Sequence, residues 1–326
     1  MDEEKLKPEL FLIAHRMNVG SPENEAYNHV DNGMEALEAV LAVTGEQDRY
    51  NLIKGFECDV RLTRDNELVV LHDGNAKTIS RSKFNKNIKD MTYEELRHIK
   101  IINADKYYKG IRSRALVLPD SKRVRSIISQ RLQNTIVVPK AFEMFEFLAG
   151  KGYKKEIVLE LKEASDKNRD ATIELVNTFK DKLNIVVKSY DVERTIAIGE
   201  KTGVKIGLLD AIKIVNKRKA VDENFIRTMP FDFYSILWTK ANLKNVEALM
   251  ECGKDLYLWT IDSAAHLFGA LSLLERFYDK LGALPQNTHL ITNIPILLEE
   301  YLKADIPDIP LTKRISQKYN KIFQTI

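Results

Sequence analysis

What most limits the fold of this chain is a rhythm that becomes regular after Glu156. Short apolar runs alternate with longer amphipathic segments: 157–161 then 171–179, 185–187 then 192–200, 204–208 and a following helix, 233–237 then 243–252, 256–261 then 264–274, and 289–292 then 296–302. Mostly apolar runs of three to six residues between polar flanks read as buried strands. Strands separated by helices of this length run parallel, because each helix carries the chain back across the sheet. Two earlier strands, 10–14 and the one around Phe56–Val60, bring the total to about eight β–α units. In 326 residues this predicts an α/β fold, a (β/α)8 TIM barrel forming one domain over 1–326. An open doubly wound sheet is the alternative. No Gly-x-Gly-x-x-Gly follows the first strand, which argues against its dinucleotide-binding form.

The first half departs from the rhythm. A helical pattern covers 31–43. After Asp73 the chain turns polar and basic. Thr92 and Glu95 are spaced as a capping box, 103–114 reads as an excursion, and further helices are expected over 120–131 and 141–148. The segment 76–140 is therefore an insertion after the second strand, too poor in apolar residues to be a domain of its own. Residues 305–326 are a short C-terminal extension.

In such a barrel the chemistry sits at the C-terminal ends of the strands. The polar residues there are His15-Arg16, Glu57 and Asp59, His72-Asp73, Glu160 and Lys162, Lys188-Ser189, Trp259-Thr260 and Thr292-Asn293. The densest stretch is Gly55–Asp73. Side chains two apart on a strand share a face, so Glu57 and Asp59 stand together, roughly 6.5–7 Å apart along the chain. Arg64-Asp65-Asn66-Glu67 reads as a turn, and the apolar run 68–71 as a buried strand delivering His72 and Asp73.

Composition excludes several classes. The 50 basic and 47 acidic residues nearly cancel, so no basic excess marks a nucleic-acid binder. No apolar run approaches the length of a membrane span. The acidic N-terminus is not a secretory signal. Cys58 and Cys252 are read as two buried thiols with no disulfide, which suits a cytoplasmic protein.

Taken together, Ala14-His15-Arg16, Pro22-Glu23-Asn24, Glu57-x-Asp59-Val60-x-Leu62-Thr63-x-Asp65 and Val70-x-His72-Asp73 resemble the signature of the glycerophosphodiester phosphodiesterases. Glu160-Leu161-Lys162, Ser189-Tyr190-Asp191, Trp259-Thr260 and Thr292-x-x-Pro295 are similar to later segments of that family, so the resemblance spans about residues 10 to 302. It implies metal-dependent hydrolysis of a small glycerophosphodiester to glycerol 3-phosphate and an alcohol. His15 and His72 would be the general acid and base, in an order the sequence leaves open. Glu57, Asp59 and Glu160 would hold one divalent cation, Ca2+ or Mg2+. Arg16, Lys162 and Trp259 would bind phosphate and substrate, with Glu23, Asn24, Asp73 and Ser189 in support. The chemistry agrees: a phosphodiester anion needs positive charge on its non-bridging oxygens, and a hard cation on carboxylates supplies it. Arg offers a fork matched to phosphate, and imidazoles suit proton transfer at neutral pH. His29, His98, His266 and His289 fall outside the motifs and read as structural or surface residues.

The chain departs from the family at Met17, where a Gly is usual and a Met side chain would reshape the mouth of the site. It departs again at Glu25 after Pro-Glu-Asn, in the length of the segment between Asn24 and Glu57, and at Asn293 in place of Asp. These leave two other readings open. One is a phospholipase D-like lyase acting on lysolipids to give a cyclic phosphate. The other is a non-catalytic phosphate-binding protein on the same fold.

Overall fold

The computed structural model describes residues 9–19, 31–44, 52–80, 84–99, 137–210, 221–261 and 264–293, together with 295, 296 and 298. The expected helix 120–131, the excursion 103–114, Glu23-Asn24, Glu25, His29 and the extension 305–326 lie outside these residues.

Eight parallel strands close into a barrel. They are β1 (Glu9–Ala14), β2 (Ile53–Leu62), β4 (Glu156–Leu161), β5 (Asn184–Ser189), β6 (Ile206–Asp210), β7 (Phe233–Leu237), β8 (Asp255–Trp259) and β9 (Asn287–Thr292). Neighbours follow chain order, and β1 pairs with both β9 and β2, which closes the ring. The strand between β2 and β4, β3 (Leu68–Val70), is antiparallel to β2 and lies outside the barrel, with Val60 opposite Val70. The run expected at 68–71 is thus buried, but as the second arm of a hairpin. Its turn closes by Thr63 N–H donating to the Glu67 carbonyl at 3.0 Å, with Asn66 left-handed.

The strands read as continuous apolar runs because both of their faces are covered. One face meets the surrounding helices in a large core that includes Phe56, Cys58, Leu159, Val187 and Leu258. The other lines the barrel interior with Ile13, Val158, Val186, Phe233, Tyr257 and Ile291. Gly207 makes room for that filling, since a Cβ there would lie 2.1 Å from the Phe233 ring. The helices begin at side-chain caps: Ser165 before α5 (Asp166–Phe179), Asp191 before α6 (Val192–Thr202), Asp222 before α7 (Glu223–Thr228) and Asn242 before α8 (Leu243–Glu251). Each accepts a hydrogen bond from a first-turn N–H that would otherwise be unpaired. Helix α6 ends on left-handed Gly203, and β6 starts at Ile206, two residues later than the apolar run suggested.

The described part of the insertion contains α2 (Ala76–Ser80) and α3 (Tyr93–Arg97), which carries the expected Thr92/Glu95 capping box. These pack with Val69, Leu71, Ile88, Met91 and Val138 into a small second core against β3. The chain then re-enters the barrel pattern through α4 (Ala141–Gly150). Two expectations need correction. Asp31-Asn32-Gly33 is a turn, and α1 runs Met34–Thr44, because Asn32 adopts a left-handed conformation that a helix cannot contain. Cys252 is exposed, since it caps the end of α8; Cys58 is buried between barrel and helices. No helix among the described residues is long and apolar enough to cross a membrane.

Candidate active site

Strand register builds the site. Asp59 of β2 lies beside Glu160 of β4, and Glu160 beside Lys188 of β5. Glu57 is two residues below Asp59 on the same face. All four are buried at the top of the barrel. One oxygen from each of Glu57, Asp59 and Glu160 lies within 4.8 Å of the others, and this is the one such group of three among the described residues. Cations interleave them. Lys162 Nζ is 2.9 Å from Asp59 Oδ1 and also contacts Glu160 Oε1. Lys188 Nζ lies 3.0 Å from Glu160 Oε2 and 3.3 Å from Glu57 Oε1. Arg16 Nε lies 3.5 Å from Asp59 Oδ2.

These charges set one another's ionisation. Burial opposes the ionised form of Asp59, but Lys162 and Arg16 outweigh it and hold the carboxyl far below the usual range. Glu160 is likewise buried, yet Lys188 and Lys162 bring it to about 2. For Glu57, burial and the Asp59 charge prevail over Lys188 and push it to about 8. Burial and neighbouring Arg16 push His15 well below 6.5, so it is neutral at neutral pH.

The metal reading can be tested on the oxygens themselves. Glu57 Oε1 and Asp59 Oδ1 are buried and accept no aligned hydrogen bond, although each has an ammonium within ion-pair reach. Buried carboxylate oxygens with lone pairs to spare, in an all-oxygen set, fit a hard divalent cation such as Mg2+ or Ca2+.

His15 and Arg16 form a tight turn directly after β1, and Arg16 N–H donates to Glu57 Oε2 at 3.0 Å. His15 Nδ1 is 2.9 Å from Asn293 Oδ1, and its Nε2 is 3.9 Å from Glu57 Oε2. His72 Nδ1 is 3.2 Å from Asp73 Oδ1. Its carbonyl accepts from Arg61 Nε and a terminal Arg61 nitrogen at 2.8 and 2.6 Å, and Arg61 is paired with Glu163 at 2.9 Å. His15 thus borders the carboxylates, its Nε2 within ion-pair reach of Glu57. Trp259 packs on the inner apolar layer, with Nε1 buried and without a hydrogen-bond partner. Ser189 faces structure: its hydroxyl donates to the Leu161 carbonyl and accepts from Asp191 N–H, both at 3.2 Å.

Two groups, Asn32 and Asp31, escape the sequence reading, and a third, Asn293, reads from it only as a rim residue without a role. Asn32 donates to Asp59 Oδ2 at 2.8 Å and accepts from Asp59 N–H at 3.2 Å, and Asp31 accepts from Arg16 at 3.3 Å. Asn293 orients His15. The Asp-Asn-Gly triplet was the available signal for the first two, as a turn folding back on the barrel mouth. Met17 does not shape that mouth. Its side chain is fully buried in the core, and its left-handed φ of 61° accounts for a preference for Gly at this position.

A family model for the glycerophosphoryl diester phosphodiesterase family matches residues 51–282. No functionally curated protein matches by sequence. Solved structures match over most of their length. A candidate glycerophosphoryl diester phosphodiesterase from Silicibacter pomeroyi is 15% identical, with 89% of this chain and 93% of that chain covered and a TM-score of 0.64. A phosphodiesterase from Oleispira antarctica, in complex with the product sn-glycerol-3-phosphate, is 16% identical over 90% and 97%, with a TM-score of 0.61. A glycerophosphodiester phosphodiesterase from Parabacteroides distasonis is 18% identical over 91% and 98%, with a TM-score of 0.56.

Proposed function

The chain belongs to the glycerophosphoryl diester phosphodiesterase family, whose members are phosphoric diester hydrolases, and from that premise we propose that the top of its barrel hydrolyses a glycerophosphodiester to glycerol 3-phosphate and an alcohol. The observation that carries this reading is the register that gathers three buried carboxylates, with the His15 imidazole and the Arg16 guanidinium beside them. The glycerol phosphate held by the Oleispira relative supports the same product here.

Glu57, Asp59 and Glu160 would hold the divalent cation, which when bound supplies Lewis-acid polarisation of a non-bridging phosphate oxygen. Arg16 and Lys162 stand at the rim and are partly exposed, so both can turn donors toward the phosphate. His15 is neutral, and Asn293 Oδ1 holds the proton on Nδ1. That leaves the Nε2 lone pair free to take a proton from the attacking oxygen. His72, its Nδ1 on Asp73 and its main chain fixed by Arg61, donates from Nε2 to the departing alkoxide. Trp259 offers a flat apolar wall to the glycerol carbons.

Phosphorus NMR of the protein with glycerophosphocholine, glycerophosphoethanolamine and lysolipids, with and without chelator, tests the reading. Glycerol phosphate should appear and stop on chelation. A cyclic phosphate product, or silence with metal supplied, would overturn it.

A further inference from the structure

Lys188 is the one member of the charged cluster that the catalytic scheme does not use. It stands on β5, one residue before its end, and not on a loop, and its register partner is Glu160. Only 2% of its side chain is exposed. Its Nζ sits between Glu57 Oε1 and Glu160 Oε2, at 3.3 and 3.0 Å. Arg16 and Lys162 differ: 20% and 13% of their side chains are exposed, and Arg16 also has Asp31 as a partner. Those two can swing toward a ligand. Lys188 is confined to the carboxylates.

The charge count has a consequence. Counting Asp31 beside Arg16, four carboxylates meet three cations, so the cluster carries one negative charge when all are ionised and a divalent ion would leave one positive charge. Yet Lys188 does not saturate its partners, since Glu57 Oε1 accepts no aligned hydrogen bond from it. A divalent ion seated on these oxygens would share them with an ammonium that cannot leave. We propose that Lys188 is a built-in competitor of the divalent cation: it holds Glu57 and Glu160 together when no metal is bound and weakens metal binding in the free enzyme. The arriving phosphodiester brings the negative charge that offsets the excess, so substrate and metal bind cooperatively, each tightening the other. The inference rests on the reading of Glu57, Asp59 and Glu160 as the cation site.

The test uses full-length protein without substrate, Mn2+ as the probe, and Lys188→Met and Lys188→Gln as variants. Binding is followed by electron paramagnetic resonance, and melting temperature is recorded with and without chelator. Both variants should bind Mn2+ about tenfold more tightly or better than the wild type. Their melting temperatures should fall on chelation while that of the wild type barely moves. Asp59→Asn in either background should abolish binding, which locates the ion. If Lys188→Met does not fold without metal, Lys188→Gln, which keeps a donor at the same place, carries the comparison. Wild type and variants binding Mn2+ equally well would overturn the role of Lys188 and leave the metal site standing. No binding by any of them would overturn the metal site, and this inference with it.

Discussion

The two ends of the barrel both hold acids, and they treat them in opposite ways. At the bottom, Glu156 accepts a hydrogen bond from the Tyr257 hydroxyl at 2.7 Å. Tyr257 stacks on His289 with ring centroids 4.0 Å apart. Asp255 accepts from Asn287 at 2.8 Å and pairs with half-exposed Lys205. Each of these two carboxylates meets a neutral donor or one solvated cation, and the buried His289 is held neutral by burial and the nearby lysines at about 3. At the top, three carboxylates and three cations crowd together and still leave carboxylate oxygens without aligned donors. Buried ion clusters gain little net stability, because desolvation offsets attraction. The bottom is therefore built for support. The top keeps charges in a poorly satisfied arrangement that a ligand can complete.

The largest test of that contrast exchanges a charge at each end. Asp59→Asn removes a carboxylate of the proposed cation site and the counter-charge of Arg16 and Lys162, and should lower kcat/KM by about 10³-fold or more. Glu156→Gln keeps an oxygen for the Tyr257 hydroxyl and should leave kcat/KM within about twofold. Steady-state turnover of a glycerophosphodiester decides it. A comparable loss at both positions would erase the distinction between the two ends.

A second test uses pH in metal-free protein. The His289 value is lowered from 6.5 to about 3. Between those pH values the unfolded chain binds a proton that the folded protein refuses, so stability falls as pH drops through the window. Glu57 is raised from 4.5 to about 8. There the folded protein holds a proton that the unfolded chain releases, so stability falls as pH rises from 4.5 to 8. Each slope is at most about 1.4 kcal/mol per pH unit. Relative to the wild type, His289→Gln should gain stability as pH falls below 6.5, and Glu57→Gln should gain as pH rises above 4.5. Urea denaturation in chelator at several pH values measures both, and relative slopes of the same sign for the two variants would show that the ends do not differ.

Much of this contrast could be read in the residues before any coordinates. Apolar runs marked the eight barrel strands, and the period of two put Glu57 with Asp59 and Glu160 with Lys162. What stayed hidden depends on register and on chain reversal. Lys188 reads from the sequence as a rim residue beside Ser189 with no role; only its place opposite Glu160 brings it into the cluster. Asn32 and Asp31 meet Asp59 and Arg16 because a left-handed turn folds them over the barrel mouth, and the helical periodicity of 34–44 concealed that turn. Asn293, 278 positions from His15 along the chain, reaches it because β1 and β9 are neighbours in a closed barrel.

Met17 gives the smallest test and shows how burial can outweigh backbone preference. A non-glycine residue in the left-handed region costs about 1 kcal/mol, which on its own favours Gly at this position. The Met17 side chain is fully buried in the same core as Val19 and as Ala36 and Leu37 of α1. Deleting a buried Met side chain costs about 2–5 kcal/mol. The second effect is the larger, so Met17→Gly should destabilise the protein by about 1–3 kcal/mol even though it relieves the φ of 61°. It should also disturb the turn that aims Arg16 N–H at Glu57, so turnover should fall with stability. A denaturation midpoint that rises in Met17→Gly would mean that backbone strain, not packing, governs the turn beneath the catalytic rim.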